Sequence, residues 1–424
     1  MEKVSIGIST TSMGNGHLMK AFAVAGALEE IKERISDLID IEYKVLDEKD
    51  YFHPFMRYNK RFVETVNNLI SNYVPSIYKR MTLKSNINLI RFSEDLFRKI
   101  NFMSRPLKLY DIIISTYPPL ERIAKIDKNT KIIRLLPDIF GHSFYFIDTS
   151  SKSIYVVPDS GLRSRILSGG EPYLDKSLIP RKEDIFTAGI FASRENYHSI
   201  INNKLKEMLK KKKLNIMLQL GGAGAQQDIY ISTLAKINLE KISPLYVAHS
   251  NRKFFNRLLK EGYRLGLMSK KEISPAIKEQ KGLYKFNSGI SILYHKNRKL
   301  AVQLLEREKS NNILNVVKPG DVTSGSIPHL LLPPIGTQEI ENGNWAVEKG
   351  FAKWITNKKL SEKELGELAA ETINRITTSE IEEMHLNLKK LDHSGAYKTA
   401  ARAIVMTTPN RNVKNRLSSF LSLS

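Results

Sequence analysis

The sequence predicts an α/β protein built from two doubly wound, Rossmann-like domains, and three observations predict it. Short apolar runs at 110–116, 131–136 and 214–220 each end in a polar or glycine turn that leads toward helical sequence, the βα repeat of a mostly parallel sheet. The repeat occurs in both halves of a 424-residue chain, too long for one core when a domain usually holds about 150 to 200 residues. An apolar fraction of 42% and a charged fraction of 26% are those of a globular protein.

The first half opens with an alternating strand at 3–9 and a polar glycine turn, Thr10 through Gly14-Asn15-Gly16-His17, before helical period sets in over 21–31. Ligands bind such sheets at the carboxyl ends of their strands, so His17 belongs at the mouth of the sheet. A second strand is expected at 41–46. Residues 51–100 then mix helical apolar spacing with many basic and aromatic side chains, the composition either of a helix pair with a solvated basic face or of an interfacial surface. The βα pattern resumes at 110–116, and the strand at 131–136 runs into Asp138 and His142. A further strand at 153–158 precedes a helix capped at Asp159, and 184–189 closes this half. Residues 190–198 read as a linker.

The second half begins with a lysine-rich helix at 204–213, whose four consecutive lysines are most simply a solvated face. The strand at 214–220 feeds the turn Gly221-Gly222-Ala223-Gly224, the next at 244–249 ends on His249, and 260–281 reads as an irregular insertion. After strands at 290–294 and 313–317 comes Lys318-Pro319-Gly320-Asp321-Val322-Thr323-Ser324-Gly325, followed by Gln338-Glu339 and Asn342. Small, φ-permissive residues with hydroxyls and a lysine make a loop whose backbone can approach a phosphate closely. The chain is helical from Ser361 onward.

Composition narrows the chemistry. There are no cysteines, hence no disulfide framework and no thiolate metal site. The N-terminus does not read as a signal peptide, and no run approaches the roughly 18 apolar residues of a spanning helix, so a cytoplasmic location is expected. Lys and Arg outnumber Asp and Glu by 66 to 44, a formal charge of +22 that attracts anionic lipid, nucleic acid or small phosphorylated ligands. No RNA-binding signature or helix-turn-helix spacing supports nucleic acid. Neither half carries the Walker lysine pattern or the dinucleotide spacing, and His17, His142 and His249 have no partners at zinc spacing. A nucleotide-diphosphate site opposed by histidine and carboxylate groups remains.

In their order along the chain, Gly14-Asn15-Gly16-His17, the strand at 110–116, Asp138 with His142, Thr187-Ala188-Gly189-Ile190, the Gly221 turn, and Lys318-Pro319-Gly320 with Gln338-Glu339 and Asn342 resemble glycosyltransferase family 28. The nearer branch is that of the diacylglycerol glucosyl- and galactosyltransferases. The resemblance implies the GT-B fold, two doubly wound domains facing a central cleft, with residues 1–189 binding a lipid acceptor and 190–399 a UDP-sugar. A C-terminal helix at about 400–424 would pack back on the first domain.

The resemblance further implies an inverting, metal-independent hexosyl transfer with no cofactor beyond the UDP-sugar co-substrate, at the inner face of the cell membrane and in contact with its anionic surface. His17 would be the base and Asp138 its orienting partner, with Gly14, Asn15, Gly16 and His142 on the acceptor side. Gly221, Gly222, Gly224, Lys318, Gly320, Thr323 and Ser324 would hold the diphosphate, and Gln338, Glu339 and Asn342 the sugar hydroxyls. His249 is placed on the donor side, and Tyr294 would line the uracil pocket. Two departures stand out: Asp321 replaces a second glycine, and Ser326 stands about where the family has a ribose-binding glutamate. They leave room for a catalytically silent GT-B protein, and a nucleotide-sugar epimerase is the further alternative.

Overall fold

The computed structural model describes residues 1–11, 15–47, 110–117, 129–136, 138–141, 143–146, 153–172, 174–201, 204–221, 226–334, 337–356 and 360–421. They form two compact units, Met1–Arg194 with Gly336–Gln338 and Asp392–Ser424, and Glu195–Ile335 with Glu339–Leu391. Each is a doubly wound α/β unit, the fold class the sequence predicts.

Unit 1 carries a six-stranded sheet in the order β2-β1-β3-β4-β5-β6. Its strands are β1 (Glu2–Ser9), β2 (Ile39–Leu46), β3 (Ile112–Ser115), β4 (Lys131–Leu135), β5 (Ser153–Val157) and β6 (Ile185–Thr187). All pairings are parallel. Parallel strands are covered on both faces, and Ile112, Ile113 and Ile114 are accordingly all buried, which is why the run is continuous rather than alternating. The chain lays β2 on one side of β1 and β3 on the other, so the strand order reverses between β1 and β3.

Helix α1 (Asn15–Ile35) starts well before the 21–31 segment that periodicity predicts. Asn15, Gly16 and His17 thus occupy its first turn, where N–H groups lack intrahelical acceptors anyway and poor helix formers are tolerated. Helix α2 (Ser160–Leu167) is capped by Asp159, whose carboxylate accepts from the Leu162 N–H at 3.1 Å.

Unit 2 carries a seven-stranded sheet in the order β13-β12-β11-β7-β8-β10-β9. These are β7 (Leu214–Gln219), β8 (Ile242–His249), β9 (Lys281–Lys285), β10 (Ser291–His295), β11 (Leu314–Val317), β12 (His329–Leu331) and β13 (Ala352–Trp354). Only the pairing of β9 with β10 is antiparallel among these, and exposed Lys281 and Lys285 guard that edge strand against further pairing. The order reverses between β7 and β11.

The helices of this unit are α3 (Arg194–Ile201), α4 (Lys204–Leu209), α5 (Gln227–Lys236), α6 (Arg252–Arg264), α7 (Lys270–Glu279), α8 (Arg298–Lys309), α9 (Thr337–Glu348), α10 (Glu362–Arg375) and α11 (Thr378–Lys389). Amphipathic spacing seats α6 on the core through Phe254, Phe255, Leu258 and Leu259. Gly366 lets α10 approach α5 closely, since a Cβ there would lie 2.4 Å from the Ile229 carbonyl oxygen.

Two expectations change in detail. The chain passes between the units inside the 190–198 segment, which is structured: α3 begins at Arg194, and the preceding backbone is zipped to the returning chain, with the Ile190 N–H donating to Asp392 O at 2.7 Å and the Gly395 N–H to Ile190 O at 3.1 Å. The 260–281 segment is the ordered end of α6 and then α7. Its period is obscured by the turn at Gly266 and by Pro275 inside α7, while a Ser269–Glu272 capping box starts that helix. Between Ser324 and Pro334 lies β12, too short a strand for periodicity to register.

The chain ends on unit 1 with α12 (Gly395–Thr407) and α13 (Arg411–Leu421). Small residues Ala396, Ala400, Ala401 and Ala403 are buried, and the Tyr397 hydroxyl donates to Glu30 on α1 at 2.5 Å. Phe420 stacks on Tyr397 at 5.7 Å and lies under the Arg34 guanidinium at 5.2 Å.

Candidate functional site

In doubly wound sheets a ligand crevice opens at the carboxyl ends of the strands where their order reverses. Of the predicted residues, His17 lies near that place in unit 1, and Gly221 and Lys318 lie near it in unit 2. In unit 2 the turn after β7 begins with Gly221 and the turn after β11 with Lys318. A Cβ on Gly221 would stand 3.1 Å from Lys318 Cδ, so the lysine stem lies directly against the glycine. Lys318 is 6% exposed and precedes a 3₁₀ turn, Pro319–Ser324, in which proline takes the first position. Beneath them the Asn315 amide of β11 donates to Gln219 Oε1 of β7 at 3.1 Å, tying the two strands just short of their ends.

Helix α9 closes on the same turn. A Cβ on Gly320 would lie 3.6 Å from Glu339 Oε1, and one on Gly343 would lie 3.3 Å from Pro319 Cβ and 2.4 Å from the Trp354 ring. Glycine at 343, unfavourable in a helix interior, is required by these contacts. It is the sequence signal that the motif reading passed over. Thr323 and Asn342 are fully buried and belong to the frame of the turn. A Cβ on Gly325 would overlap His329 Nε2 at 2.4 Å.

His249 ends β8 in a left-handed conformation, φ 51°. Its Nε2 stands 3.0 Å from the Leu220 carbonyl oxygen, the residue before Gly221. A carbonyl only accepts, so Nε2 carries the proton. Burial, and then the neighbouring Arg298 cation, push the ring's pKa down to about 3, and burial with Lys309 does the same for His329. Both rings are neutral near pH 7. Tyr294 goes elsewhere: it is 2% exposed and stacks on Phe255 at 4.4 Å, a core ring rather than the wall of a base pocket, because its side chain points to the face that α6 covers.

In unit 1, His17 Nδ1 lies 2.6 Å from the Thr116 carbonyl oxygen just past β3, and its ring meets Tyr117 edge-on at 5.2 Å. By the same logic Nδ1–H donates and the lone pair stands on Nε2, the tautomer a general base requires. Thr116 is itself tied to β1, its N–H and hydroxyl both donating to Ser9 O, at 2.9 and 3.1 Å. The orienting bond seen for His17 is therefore to backbone. Asp138 stands half-buried after β4 on a turn braced from α2 and the segment beyond it. There Glu171 accepts the Gly141 N–H at 3.0 Å and Arg165 Nε at 2.6 Å, and Arg165 donates to Ile139 O at 3.2 Å.

Gly14, Gly222, Gly224, His142 and the basic, aromatic segment 51–100 lie outside the described residues, as do the side chains of Asn15, Ser324 and Gln338.

The sequence profile of a family described as a domain of unknown function, DUF6938, matches residues 180–408, more than half of the chain. The chain belongs to the DUF6938 family. The match spans the whole of unit 2 and helix α12. No curated protein matches this DUF6938 chain in sequence. Among solved structures, it is similar to S. aureus MnaA with UDP, at 13% identity and a TM-score of 0.47 over 97% of this chain and 98% of that one. It is also similar to the UDP-GlcNAc 2-epimerase of Neisseria meningitidis bound to UDP-GlcNAc, at 11% identity and a TM-score of 0.45 over 95% and 100%. For UGT89C1 of Arabidopsis thaliana complexed with UDP, the values are 11% and 0.43 over 99% of each chain.

Proposed function

We propose that the protein is an inverting glycosyltransferase that moves a hexose from a UDP-sugar to the hydroxyl of a lipid such as diacylglycerol. The carrying observation is the meeting of Lys318 with Gly221 at the β7/β11 reversal of unit 2. A glycine that lets backbone approach an anion, a lysine stem laid across it and the start of α9 at Thr337 together suit a departing diphosphate. Gln338 and Glu339 are assigned to the sugar and Ser324 to the diphosphate, while the buried Thr323 and Asn342 belong to the frame of the turn. Unit 1 supplies the base: His17 takes the acceptor proton on Nε2 while its Nδ1–H stays on the Thr116 carbonyl. Asp138 is assigned to orienting or charge-stabilising His17. The acceptor lipid brings the protein to the inner face of the membrane, where its +22 charge favours anionic lipid. Among the described residues no helix is long and apolar enough to cross a membrane.

A second reading, nucleotide binding without turnover, is favoured by one observation. Ser326, about where the family has a ribose-binding glutamate, is 4% exposed, and its hydroxyl is buried without a hydrogen-bond partner among the described residues. Ribose recognition therefore falls to other groups. Incubation of the protein with UDP- and GDP-sugars and vesicles containing diacylglycerol, followed for glycolipid and free nucleotide, separates the readings. Glycolipid with stoichiometric UDP supports transfer, whereas sugar-nucleotide binding without either product supports the silent protein.

A further inference from the structure

Non-glycine residues rarely hold a left-handed backbone, and those that do cluster where the surrounding structure uses the strain. Among the described residues Gln226, His249 and Gln280 do so, with φ of 60°, 51° and 49°. Gln280 merely ends a helix, as such residues often do. His249 is different, because its ring is put to use. The register of β10 against β8 shifts at Leu293/Tyr294, opposite the end of β8, and the Asn251 N–H turns back to Ala248 O at 2.9 Å. This irregular strand end turns the imidazole toward the neighbouring strand, where Nε2–H reaches the carbonyl of Leu220, the last residue before Gly221. Leu220 is in turn bonded to β8, its N–H donating to Val247 O at 3.2 Å. The entry to the glycine turn is thus held to β8 at both its N–H and its carbonyl. The other ring nitrogen, Nδ1, is buried and has no hydrogen-bond partner among the described residues, an acceptor at the strand-end side of the unit.

We propose that His249 is a positioning residue that holds the end of β7 at Leu220 and Gly221, and through it sets the affinity of unit 2 for a nucleoside diphosphate. The inference rests on the diphosphate reading of this turn and adds to it the group that holds the turn in place. A histidine that only filled core space would have no need of a strained backbone that asparagine or glycine adopts more readily. Arg298 and burial keep the ring neutral, so the Nε2–H bond is insensitive to pH across the working range.

The test uses the full chain and UDP as probe. His249→Gly fits the left-handed backbone without strain but removes the donor, and His249→Gln restores an amide N–H at similar reach. Titration calorimetry is expected to show UDP bound about tenfold more weakly by H249G than by the wild type, with H249Q recovering most of the loss. H249G leaves a cavity and should melt below wild type, yet in one cooperative transition well above the titration temperature, so that weaker binding is not misfolding. Amide exchange at Gly221 without nucleotide is expected to speed up in H249G and return toward wild type in H249Q, with Ile216 and Leu218 unchanged. Wild-type affinity in H249G overturns the inference. If the wild-type protein itself binds no nucleoside diphosphate, the diphosphate reading fails, and unchanged exchange at Gly221 in H249G would then separately remove His249 from the turn.

Discussion

The two strand-order reversals of this molecule are built alike and lined differently. At β1/β3 of unit 1 a histidine from the first turn of α1 is pinned to a backbone carbonyl across the reversal, among hydroxyl-bearing residues Ser9, Thr10, Ser115 and Thr116. At β7/β11 of unit 2 a lysine stem lies on a glycine, and the histidine nearby is turned inward to support backbone. One reversal offers a proton acceptor, the other backbone and cationic charge for an anion. The same topology thus carries different side chains at its two strand-order reversals.

The comparison breaks most decisively at His17. His17→Ala is expected to lower turnover by roughly two orders of magnitude or more while UDP affinity, measured by calorimetry, stays within about twofold. Loss of both together would mean that unit 1 also serves the donor. At the opposite reversal, Lys318→Met keeps the stem against Gly221 but removes the charge. We expect UDP to bind about tenfold more weakly with a shallower dependence on salt. Gly221→Val, which forces the stem away, should weaken binding at least as much, and unchanged affinity in both variants would detach the anion from this turn.

The smallest effect concerns stability. His329 has a folded pKa of about 3 against an ordinary 6.5, so between these values the unfolded chain takes up a proton that the folded chain refuses. Its neutral burial therefore contributes fully above pH 6.5 and is lost as the pH falls toward 3, at about 1.4 kcal/mol per pH unit. Urea unfolding at pH 7, 6 and 5 should show the wild type losing stability faster than His329→Gln. Parallel slopes would show that the ring titrates normally. His249, equally depressed, predicts a second increment of the same sign.

Much of the site could be read locally. Glycine with lysine at 318–320, the polar amides at 338–342 and the histidine after the first strand are short-range patterns, and the structure lays Lys318 against Gly221 and Glu339 near Gly320. Tyr294 was beyond such reading, because which face of β10 turns to the core depends on α6, a neighbour distant in sequence. Ser326 and Thr323 look like exposed loop hydroxyls in sequence but are buried by the turn they sit in. The Gln219–Asn315 bond spans 96 residues and leaves no local trace.

By itself the sequence determined the βα repeat, the positions of the glycine turns, and the chemical types available at each strand end, since periodicity and backbone permissiveness are properties of neighbours along the chain. Only the tertiary structure decided that β1 pairs with β3 and β7 with β11, that the backbone at Ile190 is zipped to Asp392 and Gly395, and that His249 turns its ring under Leu220. Strand order and side-chain direction are settled by which buried surfaces fit one another across long sequence separations, and that fit exists only once the chain has folded.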